Sequence, residues 1–262
     1  MAVMTWKGKI SRDKLWVLIA LELGLLAGLA CAEKGVKSGP TADDLFARGM
    51  KAFQGRKVWG FINTRDYTQA STLFQEFLDK YPYSRFAPEA QLRLADSYFF
   101  LGEYDSAVLV YDEFQKLRPS HPEIPYVLYQ LGECFFRQVL SVDRDQAAVL
   151  SAQKWFEELI RRYPESQWMA EAGKKSRKCR EDLARREIYV GEFYYRRGDY
   201  FSALDRFRNV LTLYPDSGLG DQALYDSYRC FRALGDQEQA REALESLRSS
   251  YPGSPFLRKL KE

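Results

Sequence analysis

Tyr-Pro occurs four times in this chain, at Tyr81-Pro82, Tyr163-Pro164, Tyr214-Pro215 and Tyr251-Pro252, and each pair closes a similar upstream pattern. The cleanest copy is Gly191–Pro215, GEFYYRRGDYFSALDRFRNVLTLYP. Proline lacks a backbone donor and drives its predecessor out of helical geometry, so each Tyr-Pro ends a helix. Upstream, Gly191 and Ala203 let two antiparallel helices approach, Gly198 turns the chain between them, and Phe207 fills the space between layers. Such a unit cannot bury its apolar face alone, so its recurrence commits the chain to stacking.

With the small residue of the first helix numbered position 8, the closing proline falls at position 32. A second unit then matches without a gap: Ala95 at 8, Tyr98 at 11, Gly102 at 15, Tyr104 at 17, Ala107 at 20, Tyr111 at 24 and Pro119 at 32. The last unit fits through Phe231, Gly235, Ala240, Leu244, Leu247 and Pro252, with bulky Tyr228 at position 8. Two units carry insertions. Between Gly49 and Ala70 there are nine extra residues, placed at Gln54–Arg65, and between Gly132 and Ala152 eight extra, placed around Ser141–Leu150. Between Pro164 and Gly191 there are 17 extra residues without proline, which predicts one long helix from Gln167 to Arg197. This is the spacing of the tetratricopeptide repeat. Strand-like alternation is scarce, so the expected fold is all-α: a right-handed superhelical α-solenoid of about five repeats (42–82, 88–119, 124–164, 167–215 and 220–252) within a domain spanning 42–262. Aromatics, 15% of the chain, supply the filling for many helix–helix interfaces.

The N-terminus has a different character. Residues 1–14 are basic, and Leu15–Ala30 is an apolar run too short for the roughly 20 residues that span a bilayer, as in a signal peptide over 1–30. Small residues followed by Cys31 resemble a bacterial lipobox, in which the thiol is acylated and becomes the mature N-terminus. Gly28 stands where that pattern has Leu, Leu29 is large for its place, and Glu22 interrupts the run. The alternative is an incidental cysteine after a signal anchor. Residues 31–41 then form the lipidated end and a flexible tether. Without the first 30 residues, 35 basic and 34 acidic residues remain, which gives no electrostatic case for nucleic acid.

At 100° per residue, positions 2, 5, 9, 12 and 13 of each first helix lie opposite its core face and are expected to line the concave groove. In the second and third repeats these include Leu92, Asp96, Phe99, Phe100, Tyr129, Glu133 and Phe136, a candidate groove for an extended apolar or aromatic peptide. The alternative is that these aromatics pack against the N-terminal repeat or its inserted loop. Toward the C-terminus the same face is more charged, which points to a different partner. Lys174–Arg180, KKSRKCR, is either a solvated helix face or a contact for anionic head groups or an acidic protein.

Catalytic chemistry finds no foothold. His121 is the only histidine, Cys134, Cys179 and Cys230 are scattered singly, and no glycine-rich phosphate loop occurs. The chain is expected to be no enzyme and to take neither cofactor nor metal.

Three stretches go beyond any generic repeat: RPSHPEIPYVLYQLG (Arg118–Gly132), VDRD (Val142–Asp145) and RRYPESQWMAEAGKKSRKCREDLARREIYVGEFYYRRGDYFSAL (Arg161–Leu204). Over roughly 41–252 the chain resembles the BamD (ComL, YfiO) family of outer-membrane protein assembly lipoproteins. The resemblance implies a scaffold on the periplasmic side of the outer membrane, anchored through Cys31. It implies that C-terminal repeats bind the BamA-like barrel subunit, with Glu192, Tyr195, Arg196 and Arg197 as candidates because the family has an Arg-Gly at this turn. It also implies that N-terminal repeats recognise C-terminal signals of unfolded outer-membrane proteins, with other assembly lipoproteins as further partners. A periplasmic scaffold for cell-envelope or division proteins is the alternative function.

Overall fold

A computed structural model describes residues 39–55, 57–58, 62–139, 141 and 143–260, with backbone alone for 57–58 and 62–63. The expected signal peptide, Cys31 and most of the tether lie outside the described residues. The chain divides after Thr41 into two units, of which the second, from Ala42 onward, holds all the helices described.

These helices are α1 Ala42–Gln54, α2 Tyr67–Lys80, α3 Ala87–Leu101, α4 Tyr104–Leu117, α5 Ile124–Phe136, α6 Ala147–Arg162, α7 Met169–Arg196, α8 Tyr200–Leu213, α9 Gly220–Leu234 and α10 Gln237–Ser250. Each helix packs on the next, giving five helix pairs in an α-solenoid. The second helices α2, α4, α6, α8 and α10 all stop at the residue before proline: Tyr81, Arg118, Tyr163, Tyr214 and Tyr251. Each of these residues has left helical geometry, with φ between −137° and −130°. Three residues on, Ser84, His121, Ser166, Ser217 and Ser254 each donate their backbone N–H to that carbonyl. Their side chains in turn accept the N–H two residues later. One junction is thus built five times, and His121 takes the serine's place in the second.

Close helix approach explains the small residues. A Cβ on Gly49, Gly132 or Gly191 would lie 2.7, 2.4 or 2.4 Å from the ring of Phe74, Phe156 or Phe207 respectively. Those rings are fully buried, and burying each contributes about 1.5–3 kcal/mol. Turns at Gly102, Gly198 and Gly235 have φ between 76° and 79°, where a side chain would be strained.

The buried apolar side chains of α1–α9 form three clusters: one within α1–α3, one spanning α3–α6 with the first half of α7, and one joining the second half of α7 to α8 and α9. Tyr98 and Val110 bridge the first two, and Tyr214 the last two. The 28-residue α7 therefore serves two cores: Ala172, Cys179 and Leu183 belong to the middle one, Ala184 and Ile188 to the C-terminal one. After Pro252 a fresh first helix begins, held by Ser254, and stops as a single 3-10 turn, Pro255–Leu257, with Phe256 stacked on Tyr225 at 5.1 Å.

Two local expectations change. The first insertion, read as a loop, contains two antiparallel strands, β1 Lys57–Val58 and β2 Ile62–Asn63, too short for any periodicity to reveal. The second insertion is confined to the residues between Phe136 and Ala147, because Ala147–Leu150 already belong to α6, where Val149 and Ala152 on its inner face are buried.

Candidate peptide groove and docking face

The seven residues expected to line a concave groove do not form one surface. Leu92, Asp96 and Glu133 are buried, because successive first helices lie side by side and positions 5 and 9 face the neighbouring helix. Asp96 is 1% exposed and accepts from the hydroxyls of Tyr111 (2.5 Å) and Tyr126 (2.6 Å) and from Nη1 of Arg93 (2.6 Å). Glu133 is tied to Lys175 Nζ of α7 at 2.7 Å, and that ammonium also sits 4.6 Å above Phe136. Phe100 turns toward the first pair, stacked on Tyr67 at 4.7 Å and 6.2 Å from Phe53, whereas Phe99 lies edge-on to Phe100 at 5.7 Å and to Tyr104 at 5.6 Å and packs on the middle cluster. For Phe100 the alternative reading, packing against the N-terminal repeat, describes the geometry. Tyr129 stacks on Trp168 at 4.9 Å.

The open space lies one turn earlier, at the junctions. A cavity of about 520 Å³ is bounded by Arg85, Pro88, Glu89, Leu92 and Arg93 on one side and by His121, Glu123, Tyr126 and Trp168 on the other. A second, also about 520 Å³, shares Glu123, Tyr126 and Trp168 and continues along Pro122, Pro125, Tyr163 and Pro164. Of the seven expected residues only Leu92 reaches this space. Trp168 and Arg93 were missed, although Trp168 was legible from the junction repeat: it occupies the place two residues after the capping Ser or His that Phe86, Glu123, Leu219 and Phe256 fill elsewhere.

Burial first, then the charge of Asp96, pushes the phenols of Tyr111 and Tyr126 well above their ordinary value, and burial carries Tyr129 up to about 12. All three stay protonated, so Tyr111 and Tyr126 act as fixed donors to Asp96. Arg93, held by Asp96, presents a side chain 31% exposed.

At the other end, Arg186, Tyr189, Phe193 and Arg197 stand three or four residues apart and share one face of α7. Tyr189 and Phe193 are 43% and 42% exposed, beside the guanidinium groups of Arg186 (5.7 Å) and Arg197 (5.2 Å) respectively. Of the four docking candidates only Arg197 joins this stripe. Glu192 and Arg196 pair with each other at 3.8 Å on another face, and half-buried Tyr195 lies under Arg229 at 4.2 Å.

Four of the five cations of the basic run form internal pairs: Lys174 with Glu171, Lys175 with Glu133, Lys178 with Asp182 and Glu181, and Arg180 with Asp216. Cys134, Cys179 and Cys230 are buried free thiols pushed up to about 12 by desolvation, hence poor nucleophiles. Among the described residues no cluster of His, Cys, Asp and Glu could hold a metal ion, and no helix is long and apolar enough to cross a membrane.

The chain is similar to outer membrane protein assembly factor BamD of Neisseria meningitidis serogroup A, 28% identical with 92% of this chain and 93% of that protein covered. The BamD of Xylella fastidiosa strain 9a5c is 29% identical over 77% of this chain and 73% of its own length. Among solved structures, the TPR2AB domain of yeast Sti1 in complex with pHSP90 aligns with a TM-score of 0.41 at 12% identity, covering 84% of this chain and 81% of that one. Residues 56–247 match the model of the YfiO family, described as outer membrane lipoprotein. On that match, which covers well over half its length, the chain belongs to the YfiO family of outer membrane lipoproteins.

Proposed function

We propose that this chain is a non-enzymatic scaffold of outer-membrane β-barrel assembly, held at the membrane by acylated Cys31. The Neisseria and Xylella relatives are assembly factors, and family membership supports the same general role here. The observation that carries the finer reading is the separation of two unlike surfaces on one scaffold. The junction cavities, walled by Tyr126 and Trp168, suit an extended segment of an unfolded barrel protein, whose alternating side chains need apolar sockets. The exposed stripe Arg186–Tyr189–Phe193–Arg197 suits a folded partner offering carboxylates and an apolar patch, the BamA-like subunit.

The deciding experiment is co-purification of the tagged chain from detergent-solubilised envelope. A BamA-like barrel protein is expected to accompany it, and Phe193→Ala with Arg197→Ala to release that protein while unfolded-barrel binding persists. Recovery of division proteins in place of any barrel subunit would sink the reading. For the anchor, Cys31→Ala is expected to free the chain from membranes, and wild-type membrane retention would reject acylation as the tether.

A further inference from the structure

The junctions that follow the second helices are fastened at two points, and the second junction departs from the others at both. The first point is the cap. Ser84, Ser166, Ser217 and Ser254 accept the N–H two residues on through a hydroxyl oxygen, which keeps its lone pairs at any ordinary pH. At the second junction the acceptor is Nδ1 of His121, 3.2 Å from the Glu123 nitrogen. An imidazole nitrogen accepts only while it carries no proton, and an ordinary imidazole changes charge between about pH 5 and 8. The second point is an apolar clasp between the residue two places after the cap and position 5 of the preceding first helix. Phe86 stacks on Phe46 at 4.6 Å, Trp168 on Tyr129 at 4.9 Å and Phe256 on Tyr225 at 5.1 Å. At the fourth junction Leu219 and Ile188 belong to one apolar cluster. At the second junction these places hold Glu123, which is exposed, and Leu92, and the cavity of about 520 Å³ that both line stands in place of the clasp.

We propose that the second junction is a hinge in the solenoid, latched by the neutral ring of His121 and released when that ring takes up a proton. In the latched form the ring lies edge-on to buried Phe114 of α4 at 5.0 Å, and the His121 carbonyl accepts the N–H of Ile124, the first residue of α5. One residue thus ties the end of α4 to the start of α5. Protonation puts an N–H where the lone pair stood, facing the N–H of Glu123, so the ring has to turn away. The groups around it decide where it goes. Arg85 before α3, Arg93 of α3 and Arg118 of the junction itself are cations, engaged by Asp43, Asp96 and Gln91 respectively. Glu113 of α4 accepts from Gln91, and the Tyr126 hydroxyl of α5 donates to Asp96. Glu89 of α3 and Glu123 are the carboxylates that line the cavity together with His121. The charged ring is drawn off Phe114 toward those two, which frees the start of α5. Deeper in the same interface the bond from Tyr126 to Asp96 still joins α5 to α3, so the flanking pairs swing about that bond rather than separate. Proton uptake therefore sets how wide the cavity stands. This rests on the geometry of the junction and not on what the cavity binds.

His121 is the chain's only histidine, so isotope-labelled histidine in the full chain, prepared in detergent without a histidine tag, reports on this one ring by nuclear magnetic resonance. At about pH 8 the neutral ring is expected to carry its proton on Nε2, leaving Nδ1 as the acceptor; a proton on Nδ1 overturns the latch. Release is read from hydrogen exchange of the Glu123, Ile124 and Val127 amides, which bond to His121 Nδ1, the His121 carbonyl and the Glu123 carbonyl. Each rate is divided by that of His121→Ser at the same pH, which removes the pH dependence of exchange itself. That variant carries the residue used at the other four junctions, so it keeps the fold. The ratio is expected to rise about five- to tenfold between about pH 8 and about pH 5, the effect of losing one cap. A ratio that does not change with pH overturns the proposal. Ser166→His moves the titratable cap to the third junction, where Trp168 still clasps Tyr129. The Trp168 and Met169 amides of that variant, taken relative to wild type, are expected to rise by no more than about twofold, because the ring stack holds the junction shut. A rise as large as at the second junction would show that the missing clasp is irrelevant and would overturn the hinge.

Discussion

Asp96 and Glu192 occupy the same place in the repeat, position 9 of the first helix, and have opposite fates. Asp96 is sealed between the second and third pairs under three donors. The Glu192 side chain is 39% exposed and relies on Arg196 at 3.8 Å and a long 3.5 Å bond from Gln222. The difference arises from the neighbours. In the N-terminal half the next helix brings Tyr126 inward to reach the acid, whereas in the C-terminal half Arg229 of α9 lies on Tyr195 and Asp226 instead. Repeat position therefore fixes where a side chain points but not whether it is a structural node or a surface group. The largest expected consequence is energetic. Asp96→Ala strands a guanidinium and two buried hydroxyls, and should cost about 3–5 kcal/mol in denaturant unfolding. Glu192→Ala, an exposed pair, should cost at most about 1 kcal/mol. Equal losses would break the contrast.

Apolar packing should not distinguish the halves. Gly132→Ala and Gly191→Ala each place a Cβ 2.4 Å from a fully buried phenylalanine ring. Both should lose about 1–3 kcal/mol of packing, against which the roughly 1 kcal/mol gained in helix propensity is the smaller effect. Replacing Phe156 by Leu alongside Gly132→Ala should recover part of the loss, measured as an upward shift in melting temperature. Gly173, also in α7, has only Arg177 Nη1 near its Cβ position, at 3.9 Å. Gly173→Ala should therefore stabilise by about 0.5–1 kcal/mol, opposite in sign to Gly191→Ala in the same helix. Two variants with the same sign would show that helix propensity and not ring clearance sets the outcome.

Legibility in the sequence divides along the same line. Gly132 with Phe156, Gly191 with Phe207 and each proline stop are local patterns with fixed spacing, so helix pairing was legible residue by residue. The long α7 was legible because 17 surplus residues without proline leave few alternatives. The groove was not. A helical wheel knows nothing of the neighbouring helix, so it counted Leu92, Asp96 and Glu133 as open although α5 and α7 cover that face. Nor could it foresee that the Tyr189–Phe193 face would stay bare where α7 changes core between Leu183 and Ala184. Residues whose role depends on two elements, such as Arg93 and Trp168, emerge only when both are in place.

The smallest effect tests whether the C-terminal half has a buried acid of its own. Asp226 is 3% exposed; its Oδ1 accepts from Arg229 at 2.8 Å, while Oδ2 is buried and meets no donor among the described residues. Burial lifts this carboxyl above its ordinary value, Glu192 adds to the rise, and Arg229 only partly opposes it. A carboxyl whose folded value exceeds its unfolded one favours folding most when protonated. That contribution is complete below the unfolded value, near 4, and is lost as pH rises through the folded value. Asp226→Asn removes the desolvated charge and supplies a donor at the same site. Its stability relative to wild type should therefore increase from pH 4 upward and level off above the folded value, by a fraction of a kcal/mol to about 1 kcal/mol. Denaturation midpoints of the two proteins across that range provide the measurement. A difference that shrinks as pH rises would mean that Arg229 over-compensates the buried charge, and that Asp226 is as well satisfied as Asp96.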